Sequence, residues 1–230
     1  MSFLRKLPAD SAAPGDDCGN RAGEAPSQRE PAVSRLGETL RNATRSSHHG
    51  IDHHPLLTPL VRPELSLEHY GRVLRSFLWL YTPLQDDFAL RIAQAGGGFE
   101  LADRIGWLNT DLASLGLARD LPADAWQPPV ISSTAELVGA LYVIEGSTLG
   151  GQVISRQISA SIGLTASRGA RFFNGWGEQT EARWQAFWRF ADAVCPAAGH
   201  AAAADAAVSF FAALRLGLDR MQEWQDRPCS

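Results

Sequence analysis

The chain has 230 residues, 45% of them hydrophobic and 20% charged, with a formal net charge of −4. That mixture is ordinary for one globular domain plus a tail, and the weak negative balance leaves no electrostatic footprint for nucleic acid. No apolar run approaches the roughly 20 residues of a membrane span, and three dispersed cysteines (Cys18, Cys195, Cys229) suggest neither a disulfide framework nor a zinc site, which fits a reducing cytoplasm.

Residues 1–32 read as a separate, disordered tail, rich in Pro, Gly, Asp and Glu and almost free of apolar residues after Leu7. Residues 33–226 read as one all-α domain, and 227–230 as a C-terminal tail. The first helix is predicted from Leu36 to about His53, stopped by Pro55. Ser66 caps a long second helix through Trp79, Tyr81 and Leu90 to Ala95, with Pro83 bending it and the Gly96-Gly97-Gly98 run ending it. A third helix covers Glu100 to Leu115. After a Pro-rich connection, Ser133 and Glu136 form a capping box for a glycine-rich helix. Two more follow, from Glu178 to Val194 and from Ala201 to Trp224. No run combines strand alternation with hairpin turn signals.

The first helix carries His48, His49, His53 and His54, four of the six histidines. A solvated polar face near a helix end is one reading of them. A metal or haem ligand is the other, and His49 with His53 at i, i+4 could chelate an ion with help from Asp52. Arg41, Thr44, His48 and Asp52 recur at helical spacing on one side, with Arg41 and His48 about 10 Å apart along the axis. A neutral imidazole two turns from a cation suits a flat iron macrocycle with acidic substituents.

The glycine-rich helix repeats the suggestion. Gly146, Gly150 and Gly151 each cost about 1 kcal/mol relative to alanine in a helix interior. They share a face with Val143, Ser147, Ile154 and Ile158, while Glu145, Leu149, Gln152 and Arg156 fall on the other. A face stripped of side chains accepts either a second helix or something flat and large, and the glycines permit a kink. A phosphate-cradling loop is disfavoured, because no Gly-Lys-Ser/Thr follows.

Three blocks then resemble the haem oxygenase family, most closely its bacterial, biliverdin-producing branch. They are Leu40-Arg-Asn-Ala-Thr-Arg-Ser-Ser-His48, Glu145-Gly-Ser-Thr-Leu-Gly-Gly-Gln-Val-Ile154, and Arg171 to Thr180 followed by Trp184 and Phe187. The likeness covers roughly residues 34–224. It implies a single-domain helical bundle with haem sandwiched between a proximal helix and a kinked distal helix.

By position, the resemblance makes His48 the iron ligand, preceded by Thr44, and Arg41 the partner of a haem propionate. Gly146, Gly150 and Gly151 match the glycines whose backbone approaches the distal face, and Phe210 a late-helix aromatic touching the macrocycle. The chain departs from the family pattern twice. Ser147 stands where animal-type members have an aspartate that organises distal water, and a hydroxyl is a poor carboxylate substitute. Trp188 stands where a second propionate-pairing basic residue is common, and Arg183 or Arg189 nearby could replace it.

The implied activity is oxidative ring opening of haem, both cofactor and substrate, to biliverdin, CO and Fe(II). O2 is the co-substrate and electrons come from a donor such as ferredoxin or flavodoxin. Biliverdin supplied to a bacterial phytochrome is one implied purpose, and neither nucleic acid nor a membrane is an expected partner. A non-catalytic haem carrier or sensor is the alternative if Ser147 disables oxygen activation. A purely structural helical protein would bind no haem. The absence of a Glu-x-x-His pair argues against a di-iron enzyme.

Overall fold

The structure, a computed structural model, describes residues 34–96 and 98–227. The tail expected over 1–32 lies outside those residues, as do Cys18 and Cys229. Helix α1 (Arg35–Asp52) begins at Ser34, whose Oγ accepts the Gly37 amide at 3.2 Å. Leu36, Leu40 and Thr44 give it one buried stripe, the spacing of an amphipathic helix. Its end is held by His54, only 1% exposed. The His54 ring accepts the Leu56 amide at Nδ1 and meets Asp219 through Nε2, each at 3.1 Å. A 3-10 turn at Thr58–Val61, which the sequence did not signal, then buries Leu60.

The long second helix is two helices: α2 (Leu67–Tyr81), capped by Ser66, and α3 (Gln85–Gln94). Pro83 lacks an N–H and crowds the preceding turn, so the ladder breaks rather than bends. Thr82 finishes α2 by donating its hydroxyl to the Leu78 carbonyl at 2.6 Å. Helix α4 (Arg104–Ser114) starts four residues later than Glu100, because Asp103 is the cap, accepting the Gly106 amide at 2.8 Å.

The glycine-rich segment is one uninterrupted helix, α5 (Thr134–Ile162), closed by Gly163 at φ +67°. Ser133 accepts the Glu136 amide, while the Glu136 carboxylate accepts the amide of Ser132, one residue before the cap. The short α6 (Arg171–Asn174) is pinned by Asp111 of α4, which accepts the Arg171 and Phe172 amides at 2.8 Å each. Then come α7 (Thr180–Val194) and α8 (His200–Gln225).

Helix α5 runs through the middle, packed on α8, α7 and α6, with α1 laid against α8 and α2 against α4. The α5–α8 crossing is close because Gly139 has no side chain: a Cβ there would lie 2.0 Å from the Ala203 carbonyl oxygen. Two stretches, Thr134–Ile162 and Ala197–Gln225, are long and apolar enough by length and composition to cross a membrane. This corrects the sequence reading. Their apolarity has a different use here, since these two helices bury each other at the centre of the bundle.

Candidate functional site

His48 lies on α1 beneath α5 and α8. Among the described residues neither ring nitrogen has a hydrogen-bond partner, and both are buried. The ring rests on Phe211 at 4.4 Å and faces the edge of Tyr142 at 6.3 Å. Burial lowers its pKa to about 4, so the imidazole is neutral at physiological pH. A neutral imidazole whose nitrogens are buried and unpartnered is costly for a fold unless something is meant to use its lone pair. Asp52, one turn on, is buried but does not hydrogen-bond this ring.

One turn before His48, Thr44 is buried and spends its hydroxyl proton on the Leu40 carbonyl at 2.8 Å. Its oxygen also meets the Tyr142 hydroxyl, near the Arg41 guanidinium. Arg41 is half-buried, its Nε has no partner, and it forms no ion pair among the described residues. By contrast His49 and His53 meet in solvent with their rings tilted at 41° and 4.1 Å apart, and His53 Nδ1 is bonded to the His49 carbonyl. That pair is the solvated face.

An apolar cavity opens beside His48, reached through Phe211, which touches both. Its walls come from α1 (Ile51, Asp52), α2 (Phe77, Tyr81), α6 (Phe172, Phe173) and α8 (Phe211, Leu214), with Trp107 of α4 at one side. The α5 wall is Val143, Ser147, Thr148, Gly150, Gly151 and Ile154. Among these apolar groups lies one buried ion pair, Arg104–Glu145 at 3.0 Å, 3% and 4% exposed. Arg104 also donates to the Ile144 carbonyl at 3.2 Å, the same oxygen that accepts Ser147 Oγ at 2.7 Å. Tyr81 is buried nearby, and burial raises the pKa of its hydroxyl, an effect that the neighbouring Ser147 hydroxyl partly offsets.

The residues expected from the sequence divide accordingly. Ser147, Gly150 and Gly151 line the cavity, whereas His48, Thr44 and Arg41 lie on α1 and do not line it. Gly151 serves packing as well: a Cβ there would sit 2.7 Å from the Phe173 carbonyl oxygen. Gly146 faces the Trp184 ring with ordinary room, 3.6 Å. Phe210 is not at the cavity. It is fully buried against Phe88 and Trp126, and the next residue on α8 takes the place beside His48, because one helical step turns a side chain by about 100°. Arg183 is committed to Glu100 at 2.7 Å and stacked 3.8 Å from the Trp176 ring centroid, and Arg189 is exposed.

Sequence reasoning missed Tyr81, Arg104, Glu145 as its partner, and Phe211. One signal was legible: a single carboxylate after the apolar run Ala140 to Ile144 cannot be buried without a cation. Which cation it meets, 41 residues earlier in the chain, was not.

A family model described as Heme oxygenase matches residues 34–214. A protein of Xanthomonas campestris pv. campestris (strain 8004) described as "Heme oxygenase" is 35% identical over 104 residues. The match covers 45% of this chain and 61% of that relative, so it spans less than two thirds of the relative's length. Among solved structures, the NO- and CO-bound heme oxygenase of Neisseria meningitidis matches with a TM-score of 0.68 at 22% identity. That match covers 81% of this chain and 91% of the other, a likeness of fold.

Proposed function

Because the chain belongs to the haem oxygenase family, we propose that it opens haem oxidatively to biliverdin, CO and Fe(II), with O2 as co-substrate and electrons from an external donor. The observation that carries the proposal is the half-buried, neutral His48 ring, whose two nitrogens are buried and without hydrogen-bond partners among the described residues. A lone imidazole suits an iron that brings four nitrogens of its own. Among the described residues no group of three or more His, Cys, Asp or Glu side chains could cage a bare ion.

Haem, when bound, supplies the oxygen chemistry and is itself the substrate. The work of the chain is positional. His48 would ligate the iron, and as an imidazole it would leave the metal less electron-rich than a thiolate would. Arg41, a cation with no ion pair among the described residues, would take a propionate. Arg189 is exposed and without an ion pair among the described residues, which makes it freer than Arg183 to take the other. Gly150 and Gly151 keep the backbone bare at the cavity, Ser147 offers a hydroxyl there, and the aromatic walls exclude bulk water. Phe211 covers His48 and must turn aside to admit the macrocycle. The distal motif favours delivery of biliverdin to a bacterial phytochrome, and the family resemblance implies an external electron donor such as ferredoxin or flavodoxin.

The test is an absorption time course on protein loaded with one equivalent of hemin, then reduced in air with ascorbate or ferredoxin. A Soret band that decays into broad red absorption is the expected result, lost in His48→Ala. A Soret band that forms and persists would make the protein a carrier, the reading favoured by a serine at position 147. No Soret band would end the haem reading.

A further inference from the structure

We propose that His49 and His53 form a surface site for a divalent first-row transition ion, with Cu(II), Ni(II) and Zn(II) as the ions of fitting chemistry. The site is separate from His48, and it stands whether or not the haem reading does.

Four residues apart on one helix, the two side chains share a face, with their α-carbons about 6 Å apart along the axis. This is the spacing by which the two histidines of a helical H-E-x-x-H site hold zinc. The rings meet in solvent with their centroids 4.1 Å apart and their planes tilted at 41°. Two imidazoles at right angles around one ion, each with a metal–nitrogen bond of about 2.0–2.1 Å, have centroids roughly 4.5 Å apart. The observed spacing is close to that, and exposed rings adjust by so little at small cost.

The backbone decides which His53 nitrogen is available. His53 Nδ1 lies 2.9 Å from the His49 carbonyl oxygen. A carbonyl only accepts, so Nδ1 carries the hydrogen and Nε2 keeps the lone pair. A ring tethered through Nδ1–H to a carbonyl is how a metal-binding histidine is commonly oriented. The chain on either side is also held. Helix α1 runs to Asp52, and the buried His54 that follows His53 is tied to the Leu56 amide and to Asp219. The last turn therefore presents the pair at a fixed spacing, at the helix end whose dipole favours a cation.

The ion has two protein ligands. Asp52, the helper that the sequence suggested, is buried and lines the apolar cavity instead. Among the described residues no group of three or more His, Cys, Asp or Glu side chains could hold a metal. Water fills the remaining positions, so the ion exchanges readily and the site is labile rather than structural. Affinity should follow the general order for nitrogen ligands, with Cu(II) bound most tightly.

The experiment is calorimetric titration of the tag-free, full-length protein with Ni(II), repeated with Zn(II) and Cu(II). Wild type is compared with His49→Ala, His53→Ala, the double variant and His48→Leu. Both histidines are exposed, so the alanine variants should melt with wild type in EDTA. Each single variant should lose about 10- to 100-fold in affinity, because one imidazole alone forfeits the effective concentration of the pair. The double variant should lose little more than either single one, and His48→Leu should bind as wild type does. Saturating Ni(II) should raise the Tm of wild type but not that of the double variant.

A wild type that binds no more tightly than the double variant overturns the proposal. So does a single variant that keeps wild-type affinity, since the ion would then not bridge the pair. Loss of binding in His48→Leu also overturns it, by placing the ion on the His48 ring.

Discussion

Replacing His48 by leucine should stabilise the haem-free protein while abolishing haem ligation. Both ring nitrogens are buried without partners, and an unsatisfied buried polar group costs about 1–3 kcal/mol. The ring is only half-buried overall, so a leucine of similar size should recover about 1–2 kcal/mol. For a domain of this size that is a rise in Tm of roughly 3–6 °C. The pH dependence sharpens the expectation. The folded-state pKa of about 4 lies below the ordinary 6.5, so between those values the unfolded chain binds the proton and the folded one does not. Wild-type stability therefore rises with pH through that window and falls as pH drops from 6.5 toward 4, by about 2 kcal/mol on reaching pH 5. His48→Leu lacks this loss, and its advantage should widen to about 3–4 kcal/mol at pH 5. Thermal melts of the two haem-free proteins at pH 7.5 and pH 5 measure both quantities, with the other titrating groups cancelling in the difference. Equal Tm values at pH 7.5 with parallel pH dependence would refute the reasoning, because the His48 nitrogens would then be satisfied already.

Gly139→Ala should cost about 1–3 kcal/mol or more, seen as a lowered denaturation midpoint, since its Cβ would meet the Ala203 carbonyl oxygen and force α5 from α8. Asp111→Ala strips two amides of their acceptor at the start of α6. A loss of about 1–3 kcal/mol is expected, together with weaker haem binding from a loosened Phe172–Phe173 wall. Arg104→Met alone leaves the Glu145 carboxylate buried and unpaired, so it should lose about 3–5 kcal/mol, most of it restored by adding Glu145→Leu. Arg41→Ala should weaken haem affinity, measured by hemin titration, while leaving the haem-free melting temperature almost unchanged, because no ion pair is lost among the described residues.

Much of this architecture is local and therefore readable along the chain. Ser34, Ser66 and Ser133 cap the helices that the periodicity marks, because a capping hydroxyl acts on amides two or three residues away. The face of α1 carrying Arg41, Thr44 and His48 follows from helical pitch alone. The errors are also physical. Pro83 suggests a bend in one helix, but its missing N–H breaks the ladder and separates α2 from α3. Phe210 and Phe211 are adjacent aromatics on one apolar helix, and pattern alone does not say which turns to Phe88 and which to His48.

The glycines of α5 show most clearly where sequence stops. Their presence said that something must approach the helix backbone, and it left a helix and a flat ligand both open. The fold divides them: Gly139 admits α8, Gly151 admits the α6 carbonyl while bordering the cavity, and Gly150 is left on the cavity wall. Likewise an acid at position 145 demanded a partner, but only the crossing of α4 and α5 made that partner Arg104 and brought Tyr81 to Ser147. Helix type, caps and faces are set by interactions spanning a few residues, so the sequence by itself determined them. Which side chain meets which across the bundle depends on how helices rotate and cross, and only the tertiary structure decided it.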